Sequence, residues 1–169
     1  MSNTYTPLEI LGLQFGLNEI GWKGVRPGGR WQTDGELFHR SNPASGDLVN
    51  RTQALIVKFN ITDVPDVISG VELRILTQRN GRATDEQIQL SYQDQPIGNN
   101  NFQYMTNEDG HLPLYNDTTY GGPTDLWGAE LTPEILQDPS FGVILKFQGH
   151  PYYPHSSGLF IDAVSLTIY

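Results

Sequence analysis

The stretch from residue 70 to 93 constrains this chain more than any other. Val71, Leu73 and Ile75 alternate with Glu72, Arg74 and Leu76; further on, Ile88, Leu90 and Tyr92 alternate with Gln87, Gln89 and Ser91. A period of two marks a strand with one buried face. Between the two runs stands Asn80-Gly81, a pair that supplies the positive φ angles of a type I′ turn. Residues 70–93 are therefore expected to form an antiparallel hairpin.

The same grammar repeats along the chain. Ala54 to Phe59 is an apolar run stopped by the turn signal Asp63-Val64-Pro65-Asp66. Phe141, Val143, Leu145 and Phe147 alternate with Gly142, Ile144, Lys146 and Gln148. The final strand, Leu159 to Ile168, carries apolar residues on both faces near its start and belongs in the middle of a sheet. Residues 94–111 read as loops around a short strand at Phe102 to Met105. One helix is expected near 132–138: Thr132 caps it, Pro133 fits its first position, Glu134 complements its dipole and Asp138-Pro139 ends it. Many short strands, frequent turns and almost no helix indicate an all-β fold, an antiparallel β-sandwich of jelly-roll type.

That sandwich is assigned to residues 36–169. Residues 1–35 are read either as additional edge strands or as an arm that packs on a neighbouring subunit. Leu8, Ile10, Leu13, Phe15 and Leu17 form an apolar segment interrupted by Gly12 and Gly16, and Trp22 follows it. These six apolar residues are the candidate interface, because exposed apolar strands otherwise invite aggregation.

Composition removes several classes of function. With no cysteine there is no disulfide scaffold, thiolate metal site or thiol nucleophile. Ten Lys and Arg against 19 Asp and Glu give a net charge of -9, which repels phosphate backbones, so no nucleic-acid partner is expected. No run approaches the roughly 18 apolar residues of a membrane helix, and no membrane partner is expected. The start of the chain lacks a basic n-region and a clean apolar core, so synthesis in a cytoplasm without secretory export is expected.

Candidate chemistry is sparse. Of the four histidines, His150 and His155 flank Pro151-Tyr152-Tyr153-Pro154. Their spacing does not aim both rings at one ion, and His150, Tyr152, Tyr153 and His155 are read as a recognition loop. Asp85-Glu86 and Glu108-Asp109 are adjacent pairs, and neighbours on a strand point to opposite faces. Asp162 lies in the final strand and is read as a structural tie to a neighbouring segment. No nucleophile elbow, phosphate loop, dinucleotide fingerprint or calcium loop occurs. The expectation is a non-enzyme with no metal, no cofactor and no catalytic residue.

Three stretches, in order, carry a resemblance. They are Val67 to Leu73 after the Asp-Val-Pro turn; Tyr120-Gly121-Gly122-Pro123-Thr124-Asp125-Leu126-Trp127-Gly128; and Thr132-Pro133-Glu134-Ile135 leading to Phe141-Gly142-Val143, with the closing Ile161-Asp162-Ala163-Val164-Ser165-Leu166-Thr167-Ile168-Tyr169. Over residues 52–169 this order resembles a β-sandwich domain of tailed-bacteriophage virion structural proteins. The bulky segment Gly149 to Ser157 departs from the family, in which that segment is often short and rich in glycine and serine.

The resemblance implies a structural protein of the virion. Its most concrete form is a capsid decoration (cement) protein, a homotrimer held on the head shell through its N-terminal segment, with the major capsid protein or other virion subunits as partners. A tail, baseplate or fibre component on the same fold is the alternative. A carbohydrate-binding module is the rival of another class, taking a glycan on Trp22, Trp31, Trp127 and Tyr152-Tyr153. As folding devices, Leu126 and Trp127 are expected to plug one end of the sandwich, with the indole N–H hydrogen-bonded.

Overall fold

The computed structural model describes residues 2–13, 19–20, 22–25, 30–33, 51–80, 83–103, 115–149 and 158–169. Five strands precede residue 34: β1 (Asn3–Tyr5), β2 (Pro7–Leu13), β3 (Glu19–Ile20), β4 (Trp22–Lys23) and β5 (Trp31–Thr33). Then come β6 (Arg51–Thr52), β7 (Ala54–Phe59), β8 (Val71–Asn80), β9 (Ala83–Tyr92), β10 (Gln95–Ile97) and β11 (Tyr115–Gly121). A five-residue helix α1 (Pro133–Gln137) leads to β12 (Gly142–Gly149) and β13 (Gly158–Ile168).

These strands build the two sheets of a β-sandwich. The first runs β11-β8-β13-β5-β4, with β1 also on β13. The second runs β10-β9-β12, where β12 meets both β7 and β6, β7 continues to β2, and β6 to β3. Pairing is antiparallel except between β3 and β6. The alternation seen in the sequence decides which side chains meet. Val71, Leu73, Ile75, Ile161, Val164 and Leu166 of the first sheet share one buried core with Leu55, Val57, Ile88, Leu90, Val143 and Leu145 of the second.

The expected hairpin at 70–93 is corrected. Both of its strands form, but β8 pairs with β11 and β13 while β9 pairs with β10 and β12. The connection between them passes from one sheet to the other. A period of two fixes which face of a strand is buried and does not choose its partner. In a planar hairpin the apolar faces of β8 and β9 would lie side by side; split between sheets, they oppose one another across the core. Two further expectations differ: Phe102 and Gln103 are not strand, the rest of that expected strand lying outside the described residues, and β10 arises where a loop was expected.

The N-terminal segment enters both sheets. β1 pairs with the last strand, Asn3 opposite Ile168, and β2 pairs with β7. Ile10, Trp22 and Trp31 are buried in the common core, whereas Leu8 is exposed. The Trp22 indole N–H donates to the Gln53 carbonyl at 2.8 Å and its ring meets Phe147 edge-on. Leu13 lies within β2, and Phe15 and Leu17 fall outside the described residues.

One end of the sandwich is plugged by Trp127, which is fully buried and donates its indole N–H to the Val71 carbonyl at 2.8 Å. Leu126 does not share that role, standing at the surface. Helix α1 buries Leu136 against the core and has the expected cap, the Thr132 hydroxyl accepting from the Ile135 N–H. Thr132→Ala is expected to lower stability by about 1 kcal/mol, read as a shift of the urea midpoint at constant slope.

Three carboxyls are held below their ordinary pKa. Hydrogen bonds from Arg74, with Nε 2.7 Å from Oδ1, act on Asp117. The Thr132 hydroxyl acts on Glu134, and the Ser140 hydroxyl and N–H act on Asp138. Each group binds its proton less readily folded than unfolded. The stability they confer is therefore complete above the ordinary carboxyl range and is lost as pH falls through their folded values. A melting temperature level near neutrality and falling on the acid side is expected. Arg74→Met should make that fall shallower, because it removes the largest cause of the Asp117 shift.

Candidate ligand cleft

The outer face of the second sheet carries the candidate site. On β9 the inward residues Leu90 and Ile88 are followed toward the N-terminus by Asp85, because the pairing with β12 slips by one residue there. The slip is a bulge that leaves Glu86 and Gln87 together on the outside. Opposite them β12 turns Ile144 and Lys146 outward, between the core residues Val143, Leu145 and Phe147. Ile144 packs with Ile56 and Ala54 of β7 and Leu11 of β2, a second apolar cluster separate from the core.

At the far end of β9 the chain reverses through Gln93 and Asp94, with φ of 52° and 59°. Two successive left-handed residues are what a tight hairpin turn needs, and neither is glycine. Asp94 is held there by Lys58, whose Nζ lies 3.0 Å from Oδ1. The turn also places Gln95 and Pro96 of β10 beside β9, Pro96 opposite Ser91.

Together Gln87, Asp94, Gln95, Pro96, Ile144 and Lys146 line a cleft of about 290 Å³. That is the space of about ten water molecules and near the lower bound for small-molecule sites. Its floor at Ile144 is apolar and its two ends differ in charge. The Gln87 amide is fixed by a relay: its Nε2 donates to Gln89 Oε1 at 2.8 Å, and Gln89 Nε2 donates to the Gly98 carbonyl at 2.7 Å. The relay leaves the Gln87 carbonyl oxygen as an acceptor. Lys146 Nζ lies 4.0 Å from Glu86 Oε1, which also receives Arg51 Nη1 at 3.1 Å. Beside the cleft, between Pro96 and Gly142 in register, the buried Ser91 hydroxyl makes no hydrogen bond in the structure.

A second polar pair lies inside the sandwich. Asp85, fully buried, accepts a hydrogen bond from the Tyr120 hydroxyl at 2.6 Å and one from the Gln103 N–H at 3.3 Å. It ties β9 of one sheet to β11 of the other. The pair is a structural tie between the sheets.

Asp162 is the extra residue of a bulge in β13 and bonds to Arg30, whose Nε lies 2.8 Å from its Oδ1. His150, Tyr152, Tyr153 and His155, like the other two histidines, fall outside the described residues. Among the described residues no cluster of carboxylates and histidines could hold a metal, and no helix is long and apolar enough to cross a membrane. Sequence reasoning missed Asp94, Lys146 and their neighbours as a group. The Gln93-Asp94 turn lacks the usual Asn-Gly signature, and Lys146 reads as an ordinary outward residue of its strand.

No protein-family model and no curated protein matches this chain. Among solved structures it is similar to an apo-form cyclase from Fischerella sp., 12% identical, covering 98% of this chain and 82% of that one at a TM-score of 0.37. It is likewise similar to a Stig cyclase from Fischerella sp. TAU in complex with (3Z)-3-(1-methyl-2-pyrrolidinylidene)-3H-indole, 10% identical, covering 98% and 83%, again at 0.37.

Two expectations are corrected by these findings. The similar structures are named as cyclases, not as virion or decoration proteins, so the virion reading is withdrawn together with its tail and fibre variant. The expectation of a non-enzyme is withdrawn on the same ground. At this TM-score neither the reaction nor the ligand of those proteins is carried to this chain. The carbohydrate-module rival is not supported either: Trp22, Trp31 and Trp127 are buried and offer no stacking platform among the described residues, and Tyr152 and Tyr153 lie outside them.

Proposed function

We propose that this chain binds a small molecule in the cleft between β9, β10 and β12. The observation that carries this reading is the make-up of the cleft. An apolar floor at Ile144 lies between an aspartate and a lysine, with two glutamines on the walls. Pockets that hold small molecules combine a mostly apolar lining with a few placed polar groups. The strained Gln93-Asp94 turn supports it further, because backbone held in a costly conformation concentrates at functional sites. Such a turn directs a carboxylate to the cleft mouth where a relaxed loop would leave it free to rotate.

The test is a fragment screen read by amide chemical shifts on the intact protein. Binders are expected to shift the backbone amides of Gln87, Gln95, Ile144 and Lys146 and the side-chain amides of the two glutamines. Hits that shift other parts of the molecule and leave these residues unmoved would overturn the assignment.

A further inference from the structure

Resting on that reading, we propose that the ligand is uncharged. It is a small amphiphile with an apolar body on Ile144 and one N–H or O–H group that donates to the side-chain carbonyl of Gln87.

Both charges at the ends of the cleft are answered within the protein. Lys58 stands opposite Gly142 in register, and its Nζ lies 3.0 Å from Asp94 Oδ1. Gly142 puts no side chain in its way. At the other end Lys146 Nζ lies 4.0 Å from Glu86 Oε1, the oxygen that Arg51 also reaches. Lys58 and Lys146 are both largely buried, so neither pair is a loose surface contact. A charged ligand would leave water to meet pairs that already balance. Drawing one partner away would strand the other charge in a half-dry place. Neither end therefore rewards a carboxylate or an ammonium.

The polar capacity that remains is neutral. Gln87 Nε2 donates to Gln89 Oε1 at 2.8 Å, and Gln89 is anchored in turn on the Gly98 carbonyl. The relay settles which way the Gln87 amide faces. It leaves Gln87 Oε1 as an acceptor that takes no hydrogen bond from the described residues. A ligand with a donor there replaces the water it displaces, whereas one without a donor leaves the oxygen unpaired and loses affinity.

The body of the ligand follows from the floor. Ile144 belongs to the apolar cluster with Ala54, Ile56 and Leu11. Ser91 and Gly142, opposite each other in register, place no bulk between Ile144 and the Gln93-Asp94 turn. A volume of about 290 Å³, the share of about ten waters, takes a molecule of about ten non-hydrogen atoms.

Titrations of the intact protein with hexanamide, N,N-dimethylhexanamide, hexanoate and hexylammonium, read by amide chemical shifts, test this. The four share one hydrocarbon chain and differ in charge and in the donor. Hexanamide is expected to shift Gln87, Ile144 and Lys146 and to bind about tenfold more tightly than each of the others. Gln87→Met keeps a side chain of similar length without the carbonyl. It should bring hexanamide down to the level of the dimethyl compound and leave the dimethyl compound unchanged. Hexanoate or hexylammonium binding as tightly as hexanamide at the same residues would overturn the uncharged class and leave the cleft reading intact. Equal binding of hexanamide and its dimethyl derivative, or a Gln87→Met protein that still tells them apart, would overturn the donor to Gln87. No shift at these residues with any of the four compounds or with any fragment would overturn both readings.

Discussion

Trp127→Ala is expected to remove about 3–5 kcal/mol of stability, a large part of the 5–15 kcal/mol typical of a domain. Trp127 is among the largest fully buried side chains, and truncation leaves a cavity at one end of the core. It also leaves the Val71 carbonyl without the indole N–H. The neighbourhood is unable to collapse into the gap, because the Trp127 backbone is held at a φ of 58° between tight turns. A Cβ on Gly121 would stand 2.3 Å from both the indole nitrogen and the Val71 carbonyl oxygen, so backbone already crowds the ring. Leu126→Ala is the control. One residue away but partly exposed, it should stay within about 0.5 kcal/mol of the parent protein. Urea unfolding of both variants decides the matter, and similar midpoints would mean that Trp127 is no plug.

The second large effect concerns the tie between the sheets. Tyr120→Phe removes the hydroxyl that donates to Asp85 and should cost about 1.5–3 kcal/mol, the range for a hydrogen bond to a carboxylate. Asp85→Ala should cost at least as much, since it takes the acceptor from both the Tyr120 hydroxyl and the Gln103 N–H. The double variant should lose less than the sum, with a coupling of about 0.5–3 kcal/mol. Additive losses would show that the two side chains do not act together. Neither substitution touches the cleft lining, so a folded Tyr120→Phe protein should retain any ligand bound there.

Much of this architecture could be read before any coordinates. The periods of Val71 to Ile75, Ile88 to Leu90 and Phe141 to Phe147 identified buried faces correctly, because alternation is a local property of the chain. Thr132 and Pro133 marked their helix for the same reason. Strand partners were not legible, as β8 and β9 demonstrate: pairing is settled by which distant strand offers a complementary face. The bulge in the β9–β12 pairing was equally hidden. Extending the alternation back from Ile88 points Glu86 inward, whereas one slipped residue buries Asp85 and turns Glu86 out. The cleft depends on that slip, on the Gln93-Asp94 reversal and on the spacing between sheet neighbours. Its residues come from three strands and a turn, and none of them stands out in its own segment.

The split of β8 and β9 between two sheets also bears on how the chain reaches its fold. Their connection carries Asn80-Gly81, and two alternating strands joined in that way close into a planar hairpin in about 1–10 μs. The native partner of β8 on its other side is β13, which begins some eighty residues later at Gly158, and loops of that size close far more slowly. The quickest contact available to the chain is thus one that the finished molecule does not keep. Such a hairpin, once formed, would have to open before β13 and β12 could pair with β8 and β9, so a local signal that hastens the first step would delay the last.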